Sequence, residues 1–192
     1  MYMKQRIAII GIFFIVFPGL VRAQEAITAF NGEWVINEVL SDDTDKQVEK
    51  AIRAAGGKPD SGGRKGKGRY RGGPEEHELY DRMSYDAVLT IFIDSPEVRF
   101  TYGDNFVRTF YTDGRGRSVS ATGGYSEDYS FGDWGEKTLQ VESRPRDGGW
   151  TREVYRLQKG ENGELQLRAE LKIKPLTFSV PIELLRIYTR PQ

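Results

Sequence analysis

Leu165-Gln166-Leu167-Arg168-Ala169-Glu170-Leu171-Lys172-Ile173 is the stretch that decides the fold class. Apolar residues take every odd position and polar residues every even one. Successive side chains of an extended chain point to opposite faces, so this period of two predicts a strand with one face in a core and the other in water. A helix would spread the same residues around its whole circumference. Immediately upstream, Glu161-Asn162-Gly163 carries an Asn-Gly pair, a hairpin signal because both residues tolerate positive φ. Before that turn, Trp150 to Leu157 mixes β-formers with Arg152, Glu153 and Arg156. After the decisive stretch, Pro175 and Pro181 bracket a bend that leads into a last strand over Ile182 to Arg190.

The same rhythm runs back towards the N-terminus. Ala87 to Ile93 is continuous and β-prone, and Asp94-Ser95-Pro96 turns it. Val98, Phe100 and Tyr102 then alternate with Glu97, Arg99 and Thr101. Gly103-Asp104-Asn105, Asp113-Gly114-Arg115-Gly116 and Asp147-Gly148-Gly149 mark further turns, with strands over Phe106 to Thr112, Tyr129 to Trp134 and Leu139 to Glu142. Turn residues recur roughly every 8–12 positions, the mark of a hairpin meander. Such a meander exposes two unpaired edges unless it closes on itself. The expectation is an all-β fold of about 8–10 antiparallel strands closed into a barrel, with an open sandwich as the alternative. No long helical pattern alternates with the strands, which excludes an α/β architecture.

The first strand of the body is Phe30-Asn31-Gly32-Glu33-Trp34-Val35-Ile36-Asn37. A glycine two residues before a tryptophan allows a close backbone approach where a large indole closes the end of a core. Between this strand and the meander lies an insertion over 44–84. Thr44-Asp45-Lys46-Gln47 has the form of a capping box, and Val48, Ala51, Ile52 and Ala55 recur at helical spacing, so a short helix is predicted over 45–55. From Gly56 to Gly73 the chain holds eight glycines and six Lys or Arg against the single acid Asp60. With almost nothing apolar to bury, residues 56–78 are expected to form a flexible, disordered loop. Arg64, Lys65, Lys67, Arg69 and Arg71 make it a candidate contact for an anionic surface or partner. The glycine spacing fits neither a phosphate loop nor a dinucleotide fingerprint.

Residues 1–23 read as a secretory signal peptide. Lys4 and Arg6 precede an apolar run from Ile7 to Phe17, and Val21-Arg22-Ala23 suits a cleavage site. Even carried on to Val21 the apolar stretch reaches only about 15 residues, short of the roughly 20 that span a bilayer. The body, 24–192, is expected to be a single exported domain, periplasmic or secreted, with no transmembrane span once the signal is cleaved. The chain balances 28 basic against 28 acidic residues; without Lys4, Arg6 and Arg22 the body carries 25 against 28. This argues against a nucleic-acid binder.

There is no cysteine, which excludes disulfides, thiolate metal sites and cysteine nucleophiles, and the only histidine is His77. No G-x-S-x-G is present, and the acids mostly fill outward strand positions. Asp42-Asp43-Thr44-Asp45 lacks the EF-hand pattern and suits a helix start better than a calcium site. The sequence therefore nominates no catalytic residue, no metal ligand and no cofactor. What remains is binding. Tyr102, Phe110, Tyr129, Phe131, Trp134 and Tyr155 are the candidates to line an apolar pocket, since a small barrel has room for its own side chains or for one small ligand.

Gly32-Glu33-Trp34 at the first strand, the long first connection with its short helix, the antiparallel meander and the late arginines together resemble the lipocalin-type (calycin) barrel. Phe30 to Asp43, Thr109 to Arg115 and Thr151 to Tyr155 are also similar to exported lipocalin-like proteins of environmental bacteria, which often carry a Gly/Arg-rich insertion here. The resemblance implies that Gly32 and Trp34 form the closed end of the barrel. An arginine of the last strand then packs across the indole, Arg186 in the first place and Arg190 in the second. It also implies a non-catalytic protein that holds a small apolar or amphipathic ligand. The alternative is a cell-envelope interaction module with a filled barrel, using the basic loop.

Overall fold

A computed structural model describes residues 27–57, 87–103, 105, 107–115, 118–119, 127–135, 138–144, 149–176 and 178–191. The expected signal segment 1–23, the expected flexible loop 56–78 beyond Gly57 with Arg64, Lys65, Lys67, Arg69 and Arg71, and His77 lie outside that set. The body is all-β: β1 (Gly32–Ile36), β2 (Val88–Asp94), β3 (Glu97–Tyr102), β4 (Val107–Tyr111), the two-residue β5 (Ser118–Val119), β6 (Glu127–Trp134), β7 (Thr138–Arg144), β8 (Trp150–Lys159), β9 (Leu165–Lys174) and β10 (Ile182–Thr189). A helix, α1 (Thr44–Ala54), follows β1.

The strands form one antiparallel sheet in the order β4-β3-β2-β1-β10-β9-β8-β7-β6-β5. Neighbours in this order are consecutive in sequence, β1 and β2 across the long connection that holds the helix, except β1 and β10, the first and last strands, where Val35 faces Thr189. The sheet curls into a nearly closed barrel because β4 and β6, far apart in that order, come back together. Gly132 of β6 makes the approach feasible. A Cβ there would sit 2.9 Å from Phe110 Cδ2 and 3.3 Å from the Tyr111 carbonyl oxygen, closer than a side chain tolerates.

From Leu167 onwards the decisive stretch behaves as its pattern predicts; at its start the expectation is reversed, with Leu165 exposed and Gln166 buried. Leu167, Ala169, Leu171 and Ile173 of β9 are buried, while Arg168, Glu170 and Lys172 face outwards. The β8–β9 hairpin turns through Gly163 at φ 80°, but its loop is longer than a two-residue turn, with Gly160 N–H donating to Glu164 O at 2.9 Å. On the outside, cross-strand ion pairs such as Arg152–Glu142 (2.6 Å) and Lys172–Glu183 (2.7 Å) lie in water. Such exposed pairs contribute about 0–1 kcal/mol each.

At one end of the barrel Trp34 is fully buried and its Nε1–H donates to the Phe30 carbonyl at 2.8 Å. The cation over the indole is Arg190, not Arg186: its guanidinium carbon lies 3.7 Å from the ring centroid. Register explains the correction. With Val35 opposite Thr189, position 34 comes opposite 190. Arg186 has the same inward parity but lies about 13 Å further along the strand at about 3.3 Å per residue. Arg190 also donates to the carbonyls of Glu33 (3.2 Å) and Ala29 (2.8 Å). Gly32 serves this arrangement twice: its φ is 109°, and a Cβ there would lie 2.8 Å from Arg190 Nη1. The stacked pair contributes roughly 0.5–2 kcal/mol.

Helix α1 starts one residue earlier than its periodicity suggests. Asp43, rather than Thr44, is the N-cap, its carboxylate accepting from Lys46 N–H at 3.1 Å. An aspartate there also places negative charge at the positive end of the helix. The chain leading into α1 is tied to β10 by side chains that replace backbone partners: Leu185 N–H donates to Asp42 Oδ2 (2.7 Å) and Ile187 N–H to Ser41 Oγ (2.9 Å). Val48 and Ala51 of α1 are buried in the core.

Candidate functional site

The interior of this barrel is not purely apolar. Arg108 of β4 and Glu153 of β8 both point inwards, with side chains only 4% and 1% exposed. They meet as a bidentate pair, Nη1 to Oε2 and Nη2 to Oε1, each 3.0 Å. Glu153 is further bound by its own strand. Thr151 Oγ1 donates to Oε1 at 3.3 Å and the Tyr155 hydroxyl to Oε2 at 2.5 Å. A carboxylate offers about four acceptor positions, and these contacts fill them. Arg108 Nη1 also donates to the Tyr102 hydroxyl at 2.8 Å.

Sequence parity puts these groups together. Thr151, Glu153 and Tyr155 alternate along β8 on the face that enters the core, and the β8–β9–β10 register aligns Tyr155 with Ala169 and Ala169 with Arg186. Burial opposes the charge on Arg108, but the Glu153 carboxylate, with Tyr102 and Tyr155, holds its guanidinium pKa well above the ordinary value. Burial pushes the Tyr155 phenol well above its usual range, and the Glu153 charge adds to that. Tyr155 therefore stays a neutral donor at any ordinary pH.

Leu89, Tyr102, Arg108, Glu153, Tyr155, Ala169, Leu171, Arg186 and Tyr188 enclose a small cavity at the centre of this network. It leaves about 10 Å³ for the centre of a water-sized sphere, room for roughly one water.

Of the aromatic candidates, three converge here. Phe100 bridges Phe110 and Tyr155 with edge-on contacts at 5.0 Å each, and Tyr102 joins them through Arg108. Trp134 lies elsewhere, half-buried and edge-on to Phe30 at 5.5 Å. The side chains of Tyr129 and Phe131 are outside the described set; their backbone positions pair with Arg144 and Glu142, of opposite parity to Gly132 and Val141. Arg186, expected at the closed end, instead lines the central cavity.

Sequence reasoning missed Arg108 and Glu153 because strand charges were read as outward. Parity was the available signal: Glu153 is in step with Tyr155, Arg108 with Phe110, and Arg186 with Leu184 and Tyr188. Among the described residues no cluster of three or more His, Cys, Asp or Glu is placed to hold a metal ion. No described helix is long and apolar enough to cross a membrane. No protein-family model matches the chain, and no curated protein matches it.

Proposed function

We propose that this chain is an exported, non-catalytic barrel of lipocalin-like type with a filled interior, acting through its surface and its basic insertion at the cell envelope. The observation that carries this reading is the centre of the barrel. Where a carrier would keep space for cargo, Arg108, Glu153, Tyr102 and Tyr155 occupy the interior and satisfy one another, leaving a cavity of about 10 Å³. The barrel supplies its own carboxylate to its own arginine. The lipocalin-like assignment is supported by the nearly closed antiparallel barrel and by the Gly32–Trp34–Arg190 arrangement at one end. Support for the anionic contact is compositional: six Lys or Arg face one acid over 56–73.

A carrier of a small amphipathic molecule is the second reading, favoured by the mixed lining of Leu89 and Leu171 beside Tyr102, Arg186 and Tyr188. Native mass spectrometry of the protein purified from the periplasm without detergent separates the two. A bare mass, with no fluorescence rise on titrating a fatty-acid probe, is the expected result. A reproducible adduct of small-molecule mass that organic solvent releases would replace the filled-barrel reading with the carrier. For the surface, co-sedimentation with anionic phospholipid vesicles should drop when Arg64, Lys65, Lys67, Arg69 and Arg71 are all changed to Ser. Unchanged sedimentation would remove the insertion from the proposal.

A further inference from the structure

We propose that Asn162 is a modification site: in the folded protein its side-chain amide is lost to give aspartate or isoaspartate, while Asn31, in the same dipeptide, keeps its own. Two asparagines of the chain precede a glycine, in Asn31-Gly32 and Asn162-Gly163. A glycine leaves the backbone nitrogen after the asparagine unshielded by a Cβ, so both pairs are set for one reaction. At the second pair the Gly163 nitrogen attacks Cγ of Asn162. A new C–N bond forms, the Gly163 nitrogen gives up its proton, and the side-chain nitrogen leaves as ammonia. Water then opens the cyclic imide, on one side of its nitrogen to aspartate and on the other to isoaspartate. The balance is amide plus water to carboxylic acid plus ammonia, with no oxidant or reductant.

The fold treats the two pairs differently. Asn31 is held: its Oδ1 accepts from Ile93 N–H at 2.7 Å. Gly32 beside it is a β1 residue paired with Ile91, and the Arg190 guanidinium lies against it. Bringing the Asn31 amide carbon onto the Gly32 nitrogen requires that bond and the local β1–β2 pairing to open. Asn162 stands at the tip of the β8–β9 hairpin. Residues 161–164 are exposed, and the Asn162 side chain makes no hydrogen bond among the described residues. Gly163, at φ 80°, has open space where a Cβ would stand. The bond that restrains the nucleophile runs from Gly163 N–H to the Gly160 carbonyl at 3.0 Å and lies in this exposed turn, where local opening costs little. The ladder below, starting with Lys159 opposite Leu165, need not open with it. The product places another carboxylate beside Glu161 and Glu164, and isoaspartate also adds a carbon to the backbone of the turn.

The test follows the folded wild-type protein, held at mildly alkaline pH and digested in acid, by peptide mass spectrometry. The peptide holding Asn162 should gain one mass unit and split into aspartate and isoaspartate forms. It should do so more than about tenfold faster than the peptide holding Asn31. In urea, where both pairs are released, the two rates should converge. No gain at Asn162 in the folded protein, or equal rates at the two sites, overturns the proposal. A preference for Asn162 that persists undiminished in urea also overturns it, since the selection would then lie in the neighbouring residues and not in the fold. Asn162→Ser should remove the gain from that peptide and leave Asn31 as it was; a gain that survives the substitution belongs to another residue and overturns the assignment.

Discussion

Two arginines, Arg190 at the end of the barrel and Arg108 at its centre, solve one problem in opposite ways. Arg190 lies flat on the Trp34 indole and gives its protons to the carbonyls of Glu33 and Ala29, with no carboxylate among its contacts within the described residues. Arg108 is 4% exposed and is held by a carboxylate in bidentate contact, with two tyrosines beside it. Where water still shares the load, a π face and neutral carbonyls suffice for a guanidinium. Where it is shut out, a counter-charge is needed, because an isolated buried ion costs several kcal/mol. The comparison predicts that the two arginines differ sharply in what their loss does.

The largest effect should come from breaking the central pair on one side. Arg108→Met leaves Glu153 buried without its cation and should lower unfolding free energy by about 3–5 kcal/mol in urea titration. The double variant Arg108→Met/Glu153→Leu should recover most of that loss, since hydrophobic replacement of a whole buried pair is often neutral. If the double variant is no better than the single, the pair is doing more than neutralising itself.

Next comes the alkaline limb. The folded-state pKa of Tyr155 is raised above the ordinary 10.0, so the native state holds its proton longer than the unfolded chain does. Stability from this source is intact below about pH 10 and falls as pH rises further, by up to about 1.4 kcal/mol per unit. Tyr155→Phe should flatten that part of the stability profile relative to wild type.

The smallest effect belongs to the rim. Arg190→Met should cost roughly 0.5–2 kcal/mol, and Arg190→Lys should not restore it, because a point-like ammonium cannot both stack and reach two carbonyls. A loss at Arg190 as large as that at Arg108 would show that the rim is drier than its geometry implies.

The sequence announces the walls of this molecule far better than their contents. Alternation from Leu165 to Ile173 marks β9 without ambiguity, and Gly32 with Trp34 marks a barrel end, because both signals are local. Which arginine reaches Trp34 is not local. It depends on how β10 slides against β1, and Arg186 and Arg190 are indistinguishable by parity. Glu153 was hidden differently. Its neighbours Arg152 and Arg156 give the strand a charged, solvent-like look, and only counting in twos from Tyr155 reveals that it points inwards. Its partner Arg108 lies 45 residues away in sequence, so no spacing within one motif joins them.

The pairing of β1 with β10 sets the order in which the protein can be finished. A ribosome delivers Trp34 well before Arg190, and the hydrogen bonds between these strands cannot form until the β9–β10 hairpin has appeared. Until then one side of β1 is an open edge of the kind that recruits other strands, and contacts so distant in sequence close slowly. Strand β10 is thus the clasp of the whole structure. A ribosome that stops short of β10 releases a string of hairpins that has never been a barrel.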